Sequence, residues 1–157
     1  MIPKRMIFIW LGFSVPKFAH FAMQAFREVN PSFEVCLVHK TTKQLEDIYF
    51  GNCSNNIDQT VLECMQVILD KNKSTPYRSY IEHQRSIYGK HIKLVNILSD
   101  VLRIALLNDL GGIYLDCDCF PVKPFDDELL SKKWFCVDRH NAGSRSTSLD
   151  NYFIGAV

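Results

Sequence analysis

Asp116 and Asp118, two aspartates separated by one residue, are the part of the chain whose spacing most clearly suggests chemistry. They belong to a mostly apolar stretch, Ile113 to Cys119, that predicts a β-strand. Because a strand alternates its faces with period two, we expect both carboxylates to point the same way, with Tyr114 beside them. Two adjacent carboxylates repel each other unless a cation or water lies between them. Their hard oxygen atoms suit Mg²⁺ or Mn²⁺, bound together with substrate phosphates.

A predicted helix just before this strand carries a second polar feature. Ile97 to Asp109 is apolar around most of its circumference, which indicates a buried helix. Asn96, Asp100 and Arg103 nevertheless share one stripe, and Asp100 can pair with Arg103 at a spacing of three residues. The stripe is either the solvent side of the helix or part of the cleft that holds the two aspartates. In the cleft, Arg103 would stabilise developing phosphate charge.

The elements that must position these residues alternate between strand and helix. Apolar spacing predicts a buried parallel strand over Arg5 to Leu11 and a helix over Pro16 to Val29. A second strand over Phe33 to His39 and a second helix over Thr41 to Phe50 follow. This alternation is typical of an α/β layered fold. In open α/β sheets, ligands bind beyond the carboxyl ends of the strands, which is where the aspartates lie.

The later segments continue the pattern. An amphipathic helix is predicted over Val61 to Leu69, and Gly111 or Gly112 should end the 97–109 helix in a left-handed cap. Short strands are predicted over Trp134 to Val137 and Tyr152 to Val157. The length of 157 residues predicts a single domain, 1–157, in which residues 51–95 form a variable helical insertion.

Composition excludes several classes of protein. The 18 Lys and Arg residues against 17 Asp and Glu give a net charge of +1, which argues against a nucleic-acid binder. The hydrophobic fraction of 47% is ordinary for a globular protein. The apolar runs are too short for a transmembrane helix, and no signal-peptide core precedes the first strand, so we expect a cytoplasmic protein. The six cysteines include no Cys-x-x-Cys pair, which predicts free thiols rather than a zinc site.

Residues 71–93 carry a local excess of five positive charges. One interpretation is a solvated face or an insertion. The other is a basic patch near phosphates, or one that gives peripheral contact with the inner face of an anionic membrane.

Three motifs, in this order along the chain, closely resemble the DXD-containing sugar transferases. That family includes fungal initiating mannosyltransferases, bacterial capsule and lipopolysaccharide transferases and the glucosyltransferase domain of large clostridial toxins. The motifs are Ile2-Pro3-Lys4 with Phe8-Ile9-Trp10-Leu11-Gly12, then Ser99-Asp100-Val101-Leu102-Arg103, then Gly111-Gly112-Ile113-Tyr114-Leu115-Asp116-Cys117-Asp118 with Pro121.

The resemblance implies a GT-A fold, the Rossmann-like fold of nucleotide-diphospho-sugar transferases, with a mostly parallel central sheet flanked by helices. It implies that Asp100 and Arg103 contact the donor sugar. Family domains usually continue beyond the equivalent of Asn151 to Gly155, so the resemblance also implies a domain truncated at the C-terminus.

The resemblance also implies a nucleotide and metal site. Trp10 would stack on the nucleotide base, although a core aromatic is the alternative. Tyr114 would lie near the nucleotide, with ordinary strand packing as its alternative. Asp116 would contact the ribose and the sugar, and Asp118 would hold the divalent cation on the diphosphate.

The expected activity is transfer of a hexose from a UDP- or GDP-sugar to a glycan, lipid-linked or protein acceptor, with Mn²⁺ or Mg²⁺. The resemblance favours retention of anomeric configuration and a setting such as capsule or lipopolysaccharide assembly. We expect Asp100, Arg103, Asp116 and Asp118 to carry the catalysis. One alternative is a non-catalytic module that binds a nucleotide-sugar. Another is a phosphatase of the haloacid-dehalogenase type, which also ends a strand in Asp-x-Asp.

Overall fold

The computed structural model of the chain describes residues 1–41, 43–45, 47, 56–69, 94–140 and 147–157. These residues divide into two units by their contacts. Unit one comprises Met1–Trp10, Val15–Val38 and Leu107–Val157. Unit two comprises Leu11–Ser14 and His39–Leu106.

The described helices and strands follow the alternation expected from the sequence. In chain order they are β1 (Arg5–Leu11), α1 (Lys17–Val29), β2 (Glu34–Lys40), α2 (Asn56–Leu69), α3 (Leu94–Leu110), β3 (Gly112–Leu115), α4 (Asp127–Ser131), β4 (Trp134–His140) and β5 (Thr147–Ala156).

A five-stranded sheet in the order β2-β1-β3-β5-β4 confirms the expected α/β class, with helices flanking it. The sheet is mixed where a mostly parallel one was expected. β1 and β3 are parallel, with Met6 opposite Ile113 and Ile7 opposite Tyr114. β5 is antiparallel to both β3 and β4. Because residues 141–146 alone separate β4 from β5 in sequence, the link suits antiparallel strands, whereas parallel neighbours need a long crossover.

The core of unit one lies against the face of the sheet that α1 and α4 cover. Ala19, Ala22 and Phe26 are buried on α1 at the spacing of one helix face, which confirms the amphipathic pattern read from the sequence. Leu130 of α4 is also buried. The buried cluster consists of Ile2, Met6, Phe8, Ala19, Phe26, Phe33, Ile113, Leu115, Cys117 and Leu130.

The junction between α3 and β3 is a glycine pair. Gly111 has a φ of 62°, and its amide donates to the carbonyl of Leu107 at 2.9 Å, which confirms the predicted left-handed cap. Gly112 follows with a φ of 114°. Nη1 of Arg5 donates to the carbonyl of Leu110 at 2.7 Å, so β1 also satisfies an open carbonyl at the end of α3.

The middle of the chain is described only in part. Residues 43–45 are helical. Thr41 and Gln44 exchange side-chain and backbone hydrogen bonds of 2.8 and 3.2 Å, which is a capping box for the predicted Thr41–Phe50 helix. The rest of that helix lies largely outside the described residues, as does the predicted insertion 51–95 apart from α2 and the start of α3. The basic segment 71–93 lies outside them entirely.

Within the described parts of the chain, no helix has both the length and the apolar composition needed to cross a membrane.

Gly112 should be the more demanding of two glycines that share a positive φ. A Cβ at Gly112 would lie 2.8 Å from the carbonyl oxygen of Arg5, whereas a Cβ at Gly12, with a φ of 110°, meets nothing within 4 Å. We expect Gly12→Ala to cost about 1–2 kcal/mol for the backbone conformation alone. Gly112→Ala should cost roughly 2–5 kcal/mol, because the backbone of β1 must also shift. Urea unfolding of both variants measures this difference, and equal losses would contradict it.

Candidate functional site

The aspartate pair lies on a turn, which corrects the prediction of a strand over Ile113–Cys119. β3 ends at Leu115, whose pairing with Phe153 is the last of its register with β5. The amide of Cys119 donates to the carbonyl of Asp116 at 3.0 Å and closes the turn. The period-two argument therefore fails beyond Leu115. The physical reason is that the chain can leave the sheet where its pairing ends.

Asp116 is held by the residue two places before it. The hydroxyl of Tyr114 donates to Oδ1 of Asp116 at 2.5 Å, and Tyr114 itself is buried, with 1% of its surface exposed. A charge-assisted bond of this length fixes one carboxylate oxygen. Asp116 is half-buried and Asp118 is exposed. The turn thus presents one oriented carboxylate and one solvated carboxylate.

Cys117, between the aspartates, turns inward. Its thiol donates to the carbonyl of Ile9 at 3.4 Å. Burial, and after it the charges of Asp116 and Asp118, together raise the pKa of Cys117 to about 11, so the thiol stays protonated at neutral pH. Burial also raises the pKa of Cys119. The described cysteines are free thiols, as predicted: Cys36, Cys64, Cys117, Cys119 and Cys136.

Trp10 lies at the same edge of the sheet as the turn. It is near the carboxyl end of β1, which runs parallel to β3, and it follows Ile9, whose carbonyl accepts from Cys117. The indole is partly buried against the core of unit one. Its ring meets Phe18 of α1 edge to face, with 6.0 Å between centroids and 78° between planes. Unit one therefore brings a tryptophan and two aspartates together at the carboxyl ends of parallel strands.

The loop that leaves the turn is also anchored. Buried Asn30, just after α1, accepts from the amide of Phe125 at 2.8 Å. Its Nδ2 donates to the carbonyl of Phe26 at 3.1 Å. The rings of Phe26 and Phe125 stack at 6.0 Å. The segment after Asp118 is thus fixed to α1 by both polar and aromatic contacts.

Asp100 and Arg103 lie in unit two, on α3, and they form the predicted pair. Nη2 of Arg103 contacts Oδ1 of Asp100 at 2.7 Å, and their side chains are 7% and 21% exposed. Arg103 is therefore buried rather than on the solvent side of the helix, whereas Asn96 of the same stripe is exposed. A buried guanidinium is tolerated because the carboxylate pairs with it.

Asp116 and Asp118 fit a divalent cation that shares its coordination with a ligand. Both offer carboxylate oxygens, and Mg²⁺ in such sites usually takes one or two carboxylates together with phosphate and water. Among the residues that the structure describes, no group of three or more His, Cys, Asp or Glu side chains forms a metal-binding cluster. Two carboxylates are a donor set that suits a cation whose other ligands are phosphate and water.

Sequence reasoning missed the contacts of two residues, one in the first turn of α1 and one just after the end of that helix. Phe18 occupies an apolar position of the helical pattern, but 45% of its surface is exposed and it contacts Trp10. Asn30 belongs to an Asn-Pro dipeptide that is typical of a helix end, and it is also 3% exposed and bonded to Phe125. The Asn-Pro dipeptide gave the signal for the end of α1, but nothing local to it indicates a partner so distant in sequence.

The chain belongs to the family of glycosyltransferase sugar-binding regions that contain a DXD motif, because residues 16–136 match that family. The Asp-x-Asp turn lies within the matched range. The resemblance to this family is confirmed by a match that includes the second and third motifs and begins after the first, and membership favours sugar transfer over the phosphatase alternative.

Two solved structures share the fold. The PaToxG glycosyltransferase superposes with a TM-score of 0.60 at 19% sequence identity. The catalytic domain of alpha-toxin from Clostridium novyi superposes with a TM-score of 0.53 at 12% identity. Each comparison covers 99% of this chain and 55% of the other.

Two curated proteins are similar in sequence. Subversion of eukaryotic traffic protein A of Legionella pneumophila is 28% identical over 157 residues, which is 98% of this chain and 22% of that protein. Glucan organizing enzyme 1 of Cryptococcus neoformans is 45% identical over 56 residues, which is 34% of this chain and 15% of that protein. This chain therefore spans a small part of the length of both relatives.

The bond between Tyr114 and Asp116 should be measurable as a coupling energy. Tyr114→Phe keeps the buried ring and removes only the donor, and Asp116→Ala removes the acceptor. A double-mutant cycle by urea unfolding should give about 1.5–3 kcal/mol, the usual range for a hydrogen bond to a charged group. Additive single and double variants would mean that the contact does not stabilise the turn.

Proposed function

We propose that this chain provides the donor-binding part of a glycosyltransferase that moves a hexose from a nucleotide-diphospho-sugar, a UDP- or GDP-sugar, to an acceptor. The observation that carries the proposal is the arrangement in unit one, where Trp10 and the Asp116–Asp118 turn lie at the carboxyl ends of parallel strands. A planar ring and a pair of carboxylates at one edge suit a base and a metal-bound diphosphate. Membership in the DXD family supports the same conclusion.

In the proposed donor site, Trp10 stacks on the base. Asp116, oriented by the hydroxyl of Tyr114, accepts hydrogen bonds from hydroxyls of the ribose and the sugar. A carboxylate held at a fixed angle selects hydroxyl positions better than a mobile one, since less freedom is lost on binding. Asp118 is exposed and therefore accessible to a hydrated cation.

The chemical problem is the charge on the leaving group. A nucleoside diphosphate departs slowly unless its developing negative charge is offset. A divalent cation, Mn²⁺ or Mg²⁺, held by Asp116 and Asp118 would supply that offset when bound. The chain's own residues hold the carboxylates in place, and the buried Cys117 beside them adds no charge because its thiol is protonated.

We propose that Asp100 and Arg103 of unit two contact the donor sugar. The pairing supports this role because Asp100 is the more exposed partner and Arg103 fixes its carboxylate at 2.7 Å. Asp100, Arg103, Asp116 and Asp118 are then the residues proposed to carry the catalysis.

The remaining features rest on the family resemblance. We propose a glycan, lipid-linked or protein acceptor and retention of anomeric configuration. Sugar assembly such as capsule or lipopolysaccharide synthesis and a cytoplasmic setting stay predictions, as does membrane contact through residues 71–93. A module that binds the nucleotide-sugar without transferring it would give donor binding in the test below but no release of nucleoside diphosphate.

Asp118 should be essential for metal-dependent donor binding. Calorimetry with UDP- and GDP-sugars, with and without Mn²⁺, should show binding that requires the cation. Asp118→Asn should weaken it at least ~10-fold, about 1.4 kcal/mol, because a charged ligand is lost. The matched control is Asp127→Asn, which removes the same charge from an exposed position on α4. Binding that neither Mn²⁺ nor Asp118→Asn alters would overturn the proposed site.

Arg103 should act on the sugar rather than on the nucleotide. Arg103→Lys keeps the charge but loses the planar fork that pairs with Asp100. We expect the affinity for the nucleotide-sugar to fall about tenfold, while the affinity for the sugar-free nucleoside diphosphate changes less than about twofold. Thermal unfolding of the same variant separates this loss from a loss of fold. Equal losses for both ligands would place Arg103 outside the sugar site.

A further inference from the structure

Trp10 and Phe18 form an aromatic pair, and neither ring belongs to the fully buried core cluster of unit one. The indole of Trp10 is partly buried against the core cluster. Phe18, in the first turn of α1, leaves 45% of its surface in solvent while its ring lies 6.0 Å from the indole. The buried face of α1 is formed by other residues, namely Ala19, Ala22 and Phe26.

The geometry of the pair matters more than its area. An interplanar angle of 78° means that one ring presents its edge to the face of the other. In this arrangement Phe18 covers at most one face of the indole. It therefore restricts rotation of the Trp10 side chain without stacking over both of its faces.

We propose that Phe18 is a positioning residue for the donor nucleotide, because it holds the indole of Trp10 at the angle at which a base stacks on it. This inference rests on the proposed function and deepens it. Phe18 acts through Trp10, since a fixed indole loses less rotational freedom when a base binds. The ligand concerned is a nucleoside diphosphate. We expect Phe18 to affect the binding of its base and not the binding of its phosphates.

Phe21 supplies the matched control. It lies one helical turn further along α1, and 63% of its surface is exposed, so it is also a solvent-exposed phenylalanine on the same helix. Phe18→Ala and Phe21→Ala remove the same atoms from the same element. The difference between them reports the contact with Trp10.

The first readout needs no ligand. The chain contains two tryptophans, Trp10 and Trp134, so in a Trp134→Phe background the fluorescence comes from Trp10 alone. Phe18→Ala should shift the emission to the red and raise acrylamide quenching about twofold, because the indole gains motion and solvent. Phe21→Ala should leave both unchanged. An unaltered spectrum in Phe18→Ala would overturn the positioning role.

The second readout is binding, with UDP, GDP and pyrophosphate as probes in the presence of Mn²⁺. Phe18→Ala should weaken the preferred nucleotide roughly 3- to 10-fold, the range expected for losing one aromatic pair, and leave pyrophosphate unchanged. Phe18→Tyr should restore the affinity, because it keeps the ring.

The outcomes separate the two proposals. If the wild-type chain binds neither nucleotide, the proposed function fails, and the inference falls with it. If the wild-type chain binds and Phe18→Ala binds equally well, the inference alone is wrong. An equal loss for pyrophosphate and nucleotide would also overturn it, since the effect would not pass through the base.

Discussion

The parallel pairing of β1 with β3 is the constraint on which unit one depends. Gly112 allows the two strands to approach closely, because a Cβ at this position would lie 2.8 Å from the carbonyl oxygen of Arg5. Since parallel strands end at the same edge, the pairing places Trp10 and the turn with Asp116 and Asp118 at one edge of the sheet. Gly112, the first residue of β3, thus influences where the residues that follow the carboxyl end of β3 lie.

The turn at that edge solves an electrostatic problem. Two carboxylates so close in sequence repel each other, and the surroundings of the two differ. Asp116 accepts a hydrogen bond from the hydroxyl of Tyr114, whereas Asp118 is exposed to solvent. Cys117 between them points inward as a neutral thiol, with a pKa of about 11, and donates to Ile9. Cys117 therefore adds no charge of its own between the two carboxylates.

Features set by local spacing could be predicted from the sequence. The bounds of β1, the cap at Gly111 and the pair of Asp100 with Arg103 depend on residues close in the chain, and all three are confirmed. The end of β3 at Leu115 and the antiparallel half of the sheet could not be predicted in this way. Both depend on β5, whose pairing is not encoded near β3. The Tyr114–Asp116 contact could be predicted only in part. The sequence predicted that the two side chains lie side by side, but it did not predict the hydrogen bond between them.

The loop that follows the aspartates adds the last element of order. Phe125 stacks between Phe26 and Phe153, at 6.0 and 5.8 Å, and its amide bonds to Asn30 at 2.8 Å. With Cys117 bound to β1, the turn is tied on both sides. Aromatic pairs of about 0.5–1.5 kcal/mol each and a hydrogen bond of about 1 kcal/mol offset part of the cost of ordering the loop, which is about 1–2 kcal/mol for each of its residues. Because that cost is met during folding, a ligand that binds at this edge does not have to order the turn itself.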